Sequence, residues 1–350
     1  MIAITIIVPI YNQAKYLKKC LDSLIIQEPK NIEFLLINDG STDNSLSIMK
    51  EYAIKDHRFR IYSQENKGVA AARQKGLDIA KGQWISWVDP DDWIEPDTFN
   101  VILSKINNTN SDIVRFGGNI YDYNSEKFIL KESIGINALL SKEAIERWGL
   151  YDSYIYMEAG LHLLCIRNDF IKRNNIRFSN SRIGEDYCFT FLCYIMSSSI
   201  TYMQDKLYNY VRYDNFLINK KTDENSNYIN NIDCAYNYLL NNNLLEKKQL
   251  FWNEYLINAA GACFLYIPQK SHKYRNIINK LKRFFRSRNS WNEFKKRSAL
   301  RTNTYIYEFY ERLFSIRTVG LHGKAKHTII SILGIQIKIR KENNNGSITI

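Results

Sequence analysis

The sequence has no uninterrupted apolar run approaching 18 residues, so no segment is long enough to cross a bilayer as a helix. Residues 1–10 are apolar, but they lack a basic start and a small-residue cleavage site, which argues against a secretory signal. We therefore expect a cytoplasmic protein, either free or bound peripherally to the inner face of the cell membrane.

Paired cysteines are also absent. None of the six cysteines forms a CxxC pair or has metal-ligand spacing; they are Cys20, Cys165, Cys188, Cys193, Cys234 and Cys263. The five histidines form no cluster; His162, within the stretch 151–165, is a candidate to contact substrate, although a packed or surface histidine is the favoured alternative. These absences argue against a disulfide framework and predict reduced thiols in a reducing compartment.

The bulk composition is that of a globular protein, with 45% hydrophobic and 24% charged residues in a chain of 350. Residues 270–301 hold twelve Lys or Arg and one acid, and therefore almost all of the formal net charge of +12. Such a basic block indicates an anionic partner surface. A polar, Asn/Lys-rich stretch at 219–231 suggests two regions, 1–215 and 216–350.

Residues 84–93 are an apolar run that ends in three carboxylates within four residues. Pro90 cannot donate to a sheet ladder, so the predicted strand stops there and the carboxylates follow its carboxyl end. Clustered acids are costly unless a cation neutralises them, and Mg²⁺ prefers carboxylates plus substrate phosphates. The run predicts a metal–diphosphate site; the alternative is an acidic turn that begins the next helix.

The first hundred residues alternate between strand and helix patterns, which is typical of βαβ units and a parallel sheet. A polar cluster follows each predicted strand at 3–9, 32–37, 59–63 and 84–88. Because the carboxyl ends of parallel strands share one edge, we expect these clusters to meet.

The pattern beyond residue 96 is less regular. It predicts strands at 112–116, 127–130, 200–203, 208–213 and 329–339, and helices at 97–106, 142–148, 185–196, 228–240 and 247–267. The aromatic and apolar residues 151–165 are candidates to line an acceptor pocket.

Four motifs in order carry a family resemblance: Val8-Pro9-Ile10-Tyr11-Asn12, Asn38-Asp39-Gly40-Ser41-Thr42-Asp43, Asn66-Lys67-Gly68 with Arg73, and Asp89-Pro90-Asp91-Asp92. The chain resembles the family 2 glycosyltransferases of the GT-A fold, a type common in bacterial surface-polysaccharide pathways. The resemblance is close over residues 1–110 and thin beyond 210. It implies a Rossmann-like, mixed but mostly parallel sheet flanked by helices, followed here by a mainly helical, basic C-terminal region.

The resemblance implies a nucleotide-sugar site. Pro9 and Tyr11 would shape the base pocket, and Asp39 would accept a hydrogen bond from the base. Asn66 would touch the nucleotide or hold the loop, and Arg73 would contact the base or the diphosphate. The alternatives are ordinary core packing for Tyr11, an Asx-turn for Asp39 and a solvated helical position for Arg73.

The resemblance also implies roles for the acids. Asp91, with Asp89, would hold Mn²⁺ or Mg²⁺, and Asp92 would contact the donor sugar. Asp186 would be the catalytic base of an inverting displacement, oriented by Glu185. The alternative is an acidic pair favoured at a helix start by the helix dipole.

The resulting hypothesis is a metal-dependent inverting glycosyltransferase. It would move a hexose or N-acetylhexosamine from a UDP-sugar to a glycan or lipid-linked acceptor in cell-surface polysaccharide synthesis. Residues 270–301 would contact an anionic membrane, or else form a solvated face or pack on a second subunit of a homo-oligomer.

Three other functions stay open. A basic nucleic-acid-binding protein would explain residues 270–301, but no RRM, KH or helix-turn-helix signature is present, so we expect no nucleic acid. An inactive partner subunit is disfavoured because Asp91 and Asp186 are retained. A nucleotidyltransferase would often carry a Gly-rich phosphate loop, which is missing.

Overall fold

The computed structural model describes residues 1–130, 160–213, 229–248, 252, 255, 314–320, 326–332 and 335–340. The chain divides into two compact units. The first comprises Met1–Lys220 and Asn227–Asn258, and the second comprises Lys221–Ser226 and Ala259–Ile350. The first unit therefore continues beyond the boundary that we predicted at residue 215.

Four parallel strands form one half of the main sheet, as the sequence predicted. They are β1 (Ile4–Ile10), β2 (Ile32–Asp39), β3 (Phe59–Gln64) and β4 (Trp84–Trp87), in the order β3-β2-β1-β4. Helices α1 (Leu17–Ile25), α2 (Ser45–Lys55) and α3 (Val69–Ile79) connect them. All seven residues of β1 are buried, which is expected of a central strand covered on both faces.

The other half of the sheet is mixed. It contains β5 (Trp93–Ile94), β6 (Ile113–Asp122), β7 (Lys127–Leu130), β8 (Leu164–Arg167) and β9 (Ile200–Arg212), and the order continues from β4 as β8-β6-β9-β5, with β7 beside β6. Strand β8 runs antiparallel to both β4 and β6, whereas β6 and β9 are parallel. The antiparallel β8 thus joins the two halves.

Four further helices are described: α4 (Thr98–Asn107), α5 (Asn168–Arg173), α6 (Glu185–Met196) and α7 (Ile229–Asn241). Helix α6 carries the predicted acid pair in its first turn. Helix α7 belongs to the first compact unit, where it lies beside α6.

One prediction for this half was wrong. The two strands at 200–203 and 208–213 are one strand, β9, because the intervening polar residues are accommodated within the ladder and Gln204 and Asp205 are exposed. Strand β8 takes up the end of the stretch 151–165, where Leu164 and Cys165 pack in the sheet; that the rest of this stretch lines an acceptor pocket stays a prediction. Residues 151–159 of that stretch, and the helix predicted at 142–148, lie outside the described residues.

In the second unit the described residues form a three-stranded antiparallel sheet. Its strands are β10 (Phe314–Gly320), β11 (Lys326–Ile332) and β12 (Ile335–Arg340). The segment 329–339, predicted as a single strand, covers the end of β11 and most of β12, which form a hairpin. The sequence does not reveal the reversal because apolar and polar residues alternate on both arms. The basic residues 270–301 and most of the helix predicted at 247–267 lie outside the described residues. Among the helices that are described, none is long and apolar enough to cross a membrane.

Candidate active site

The loops that follow β1 and β2 are bound to each other. The side-chain oxygen of Asn12 accepts hydrogen bonds from the backbone N–H groups of Thr42 (2.8 Å) and Asp43 (3.3 Å). In return, the N–H of Asn12 donates to Ser41 Oγ at 3.1 Å, and the N–H of Ala14 donates to Asp43 Oδ2 at 3.0 Å. The two loops therefore form one continuous surface at the carboxyl edge of the sheet.

Pro9 and Tyr11 lie at the end of β1. Pro9 is buried within the strand, where it pairs in register with Ile37 of β2. The side chain of Tyr11 is 46% exposed, so the structure does not bury it as ordinary core packing. An exposed aromatic ring at this edge has a face available for a planar ligand.

Asp39 ends β2 and is 2% exposed. Its Oδ1 accepts hydrogen bonds from Gln64 Nε2 (2.8 Å) and the N–H of Lys67 (3.0 Å), and its Oδ2 accepts from the N–H of Gly68 (2.8 Å). Gly68 adopts φ +87°, a conformation that residues with a Cβ rarely adopt. The carboxylate therefore holds the loop that carries the exposed Asn66 against the end of β2.

Arg73 of α3 joins two of the predicted acidic motifs. Its Nη2 donates to Asp89 Oδ1 at 2.7 Å, and its Nη1 donates to Glu185 Oε1. Arg73 is 7% exposed and Glu185 is 2% exposed, so the predicted alternative of a solvated helical arginine is wrong. Burial opposes the charge of Arg73, but the negative charges of Asp89, Glu185 and Asp186 raise the pKa of the guanidinium above its ordinary value.

The three acids after β4 have different environments. Burial alone would raise the pKa of Asp89, but the charge and the hydrogen bond of Arg73 oppose burial and hold this pKa below its usual range. Burial and the charge of Asp89 raise the pKa of Asp91 to about 6. Asp92 is 2% exposed, and its carboxylate accepts hydrogen bonds from Tyr208 Oη (2.6 Å) and the N–H of Val211 (2.7 Å).

Asp92 is thus a structural link between the D-x-D segment and β9. Burial, together with Asp91 and Asp89, raises its pKa well above the ordinary value. Tyr208 extends the link, since its hydroxyl also accepts from the N–H of Asp89 at 3.1 Å. Both oxygens of Asp92 have protein partners, as both oxygens of Asp39 do, and its contact with a donor sugar stays a prediction.

The acid pair lies at the start of α6, after Gly184, whose φ is +73°. Burial raises the pKa of Glu185 to about 7, although Arg73 opposes the shift. Asp186 is half-buried, and its Oδ1 accepts a hydrogen bond from the N–H of Tyr187 at 2.8 Å. The two neighbours therefore differ: Glu185 is enclosed and ion-paired, whereas Asp186 is accessible.

His162, a candidate substrate contact from the sequence, lies close to the predicted acids. Its ring lies 4.5 Å from the ring of Tyr208 and stacks at 5.6 Å on Tyr210. Burial lowers the pKa of His162 while Asp89 and Asp186 oppose the shift, so the imidazole lies within electrostatic range of both acids. Its aromatic and acidic partners could not be inferred from spacing, since they are distant in the sequence.

The donor set suits a divalent cation shared with a diphosphate. Within the described residues, no group of three or more His, Cys, Asp or Glu could hold a metal ion. Mg²⁺ and Mn²⁺ in phosphate sites are held by one or two carboxylates plus phosphate oxygens, which Asp91 and Asp89 could supply. Burial is the main cause of the raised pKa of Asp91, and the charge of Asp89 adds to it; a bound cation would oppose both effects.

Comparison with known proteins identifies the class. The model of the family described as Glycosyl transferase family 2 matches residues 5–165. Glycosyltransferase GlyG of Streptococcus pneumoniae is 32% identical over 218 residues, which cover 60% of this chain and 70% of GlyG. Glycosyltransferase GlyA of the same organism is 36% identical over 228 residues, which cover 59% of this chain but only 30% of the length of GlyA.

The chain belongs to glycosyltransferase family 2. Its fold is similar to that of S. aureus TarS 1–349, solved in complex with UDP, with a TM-score of 0.59 and 20% identity over 96% of this chain and 98% of the other. The predicted fold class, a GT-A-type mixed α/β sheet with flanking helices, is confirmed.

Proposed function

We propose that the protein transfers a hexose or N-acetylhexosamine from a UDP-sugar to a hydroxyl group of a glycan or lipid-linked acceptor in cell-surface polysaccharide synthesis. Membership of glycosyltransferase family 2 supports the reaction class. Structures of TarS with UDP and with UDP-GlcNAc support the choice of nucleotide.

The observation that carries the proposal is the pair of ionic contacts made by Arg73. They bring the acid after β4 and the acid pair of α6 into one cluster, although these motifs are far apart in the chain. A group transfer needs charge stabilisation at the leaving group and a base at the attacking hydroxyl. Asp91 and Asp186 are suited to these two tasks, because each is partly accessible and flanks an acid that Arg73 holds.

Each residue then has a role on the donor side. Tyr11 stacks on the base, and Asp39 and Asn66 form the wall of the nucleoside pocket. Asp91 and Asp89 hold Mn²⁺ or Mg²⁺ with the diphosphate; when bound, the metal stabilises the charge of the departing nucleotide. Arg73 holds Asp89 in its ionised form, as the lowered pKa of that carboxyl requires.

On the acceptor side, Asp186 accepts the proton of the acceptor hydroxyl as its oxygen attacks the anomeric carbon. The bond from the anomeric carbon to the diphosphate breaks in the same step, so the configuration at that carbon inverts. Glu185 does not reach the sugar; its ion pair with Arg73 fixes the first turn of α6. Residues 270–301 supply the positive charge for a peripheral contact with an anionic membrane.

The test is calorimetric titration of the protein with UDP, GDP, dTDP and CMP, each in Mn²⁺ or in EDTA. We expect UDP to bind only with the metal. Asp91→Asn should abolish this binding, Asp186→Asn should retain it, and UDP release from UDP-GlcNAc should be lost in both variants.

The matched control is Asp205→Asn, which removes an exposed carboxylate of β9 and should behave as the wild type. If no nucleotide binds in the presence of Mn²⁺, the proposed function is wrong. If Asp186→Asn releases UDP at the wild-type rate, Asp186 is not the base.

A further inference from the structure

Asn231 of α7 is fully buried, and its side-chain amide is fully used. Its Oδ1 accepts a hydrogen bond from the hydroxyl of Ser179. Its Nδ2 donates to the carbonyl of Ile183 at 2.8 Å and to Ser181 Oγ at 3.4 Å. One side chain thus binds three residues of the segment 179–183, which leads directly into the acid pair.

The carbonyl of Ile183 is the critical contact, because it lies two residues before Glu185. It accepts a second hydrogen bond from Ser181 Oγ at 2.9 Å. The chain then reverses at Gly184 and enters α6. The hydrogen bond from Asn231 therefore fixes the backbone just before Gly184, and with it the direction in which α6 begins.

The backbone of Asn231 is bound as well. Its carbonyl accepts from the hydroxyl of Tyr255 at 3.0 Å and from the thiol of Cys188 at 3.4 Å. Cys188 lies one turn or less beyond the acid pair in α6. Asn231 consequently binds the chain on both sides of Gly184. Its side chain binds the Ile183 carbonyl before Gly184, and its backbone carbonyl binds the Cys188 thiol after Gly184.

We infer that Asn231 is a positioning residue for the catalytic base, supplied by a helix beyond the matched family region at 5–165. The inference rests on the proposed role of Asp186. A buried amide both donates and accepts, so it can bind the Ser179 hydroxyl and the Ile183 carbonyl together. Without it, the Ser179 hydroxyl and the Ile183 carbonyl each lose one buried hydrogen bond, so the segment 179–183 is held less firmly.

Asn230 provides a matched control on the same helix. Its side chain donates a single hydrogen bond, of 2.9 Å, to the carbonyl of Asn180. It is half-buried, so water can replace that bond when the side chain is removed. Asn230→Ala removes the same atoms from a neighbouring position whose hydrogen bond goes to Asn180 and not to Ile183.

The experiment compares Asn231→Ala, the isosteric Asn231→Asp and Asn230→Ala with the wild type. Displacement of a catalytic group by about 1 Å can cost about 100-fold in rate. We therefore expect kcat for UDP release from UDP-GlcNAc to fall about 10- to 100-fold in both Asn231 variants. The Kd for UDP should stay within about twofold, because Tyr11 follows β1 and Asp39 ends β2, and neither takes part in the hydrogen bonds of Asn231.

A second measurement does not depend on turnover. Amide hydrogen exchange of peptides covering residues 179–190 should accelerate about tenfold or more in the Asn231 variants, since about 1.4 kcal/mol of local stability corresponds to a factor of ten. The same peptides should exchange at the wild-type rate in Asn230→Ala.

Unchanged exchange and unchanged kcat in the Asn231 variants would overturn the inference, as would equal losses of kcat and UDP binding, which indicate a purely structural role. Absence of UDP binding by the wild type would instead refute the proposed function.

Discussion

Replacing Arg73 by glutamine tests the central ion pairs of the site. The guanidinium is 7% exposed and neutralises Glu185, which is 2% exposed. Removing one partner of a buried ion pair costs about 3–5 kcal/mol, because the other charge stays buried without compensation. For a domain of this size each kcal/mol lowers Tm by about 2–4 °C, so Arg73→Gln should lower Tm by about 6–20 °C.

The loss of stability in Arg73→Gln should depend on pH. The pKa of Glu185, about 7, exceeds its ordinary value of 4.5, so between these values the folded protein binds more protons at this residue than the unfolded chain does. The contribution of Glu185 to the free energy of unfolding therefore falls as pH rises through that window. Without Arg73 the folded-state pKa rises further, so the variant loses more stability at pH 8 than at pH 5.5.

The assay is thermal unfolding followed by circular dichroism at both pH values. Arg177→Gln is the control, because Arg177 and Asp78 form a surface pair at 3.3 Å with side chains 56% and 44% exposed. Such pairs contribute about 0–1 kcal/mol. If Arg73→Gln loses no more than the control, or loses equally at both pH values, Arg73 does not compensate a buried acid.

Three further results are expected. Asp92→Ala should lower the free energy of unfolding, measured with denaturant, by about 1–3 kcal/mol, because two buried donors of β9 lose their acceptor. Asp92→Asn should lower it less, and equal losses would contradict the role of Asp92 as a link to β9. Gly68→Ala should lower the free energy of unfolding by about 1–3 kcal/mol through backbone strain at φ +87°, although an added Cβ would meet nothing within 4 Å. An unchanged Tm would contradict this prediction. Tyr11→Ala should weaken UDP binding by about 1–3 kcal/mol in calorimetry while Tyr11→Phe retains it, and Tm should not change because the ring is 46% exposed.

The parallel half of the sheet was predictable because its signals are local. Each strand from β1 to β4 is a short apolar run followed by polar residues, and helical spacing fills the intervals. The convergence of Asp39, Gly68 and Asp89 on one edge follows from parallel topology alone. That topology could be inferred from the order of the patterns.

The mixed half could not be predicted in the same way. Strand β8 has four residues, and its antiparallel pairing with β4 and β6 depends on contacts distant in the sequence. The polar residues Gln204 and Asp205 divide β9 into two apparent runs, although the ladder is continuous. The stacking of His162 on Tyr210 likewise depends on tertiary structure, which spacing does not encode.

The sequence also gave no indication of what Arg73 and Asp92 contact. Their residue types fit several roles, and the choice depends on which groups surround them. Arg73 could have been a surface residue until α6 was known to bring Glu185 to it. The bonds from Tyr208 and Val211 of β9 to the two oxygens of Asp92 could likewise not be inferred from the sequence.

The reciprocal hydrogen bonds between the loops after β1 and β2 have a consequence for engineering. Asn12 serves as acceptor for one loop, and Asp43 serves as acceptor for the other. Grafting either loop alone from a relative would break bonds on both sides of the junction. The two loops are therefore a single transplantable module, and a chimaera that alters nucleotide preference must exchange them together.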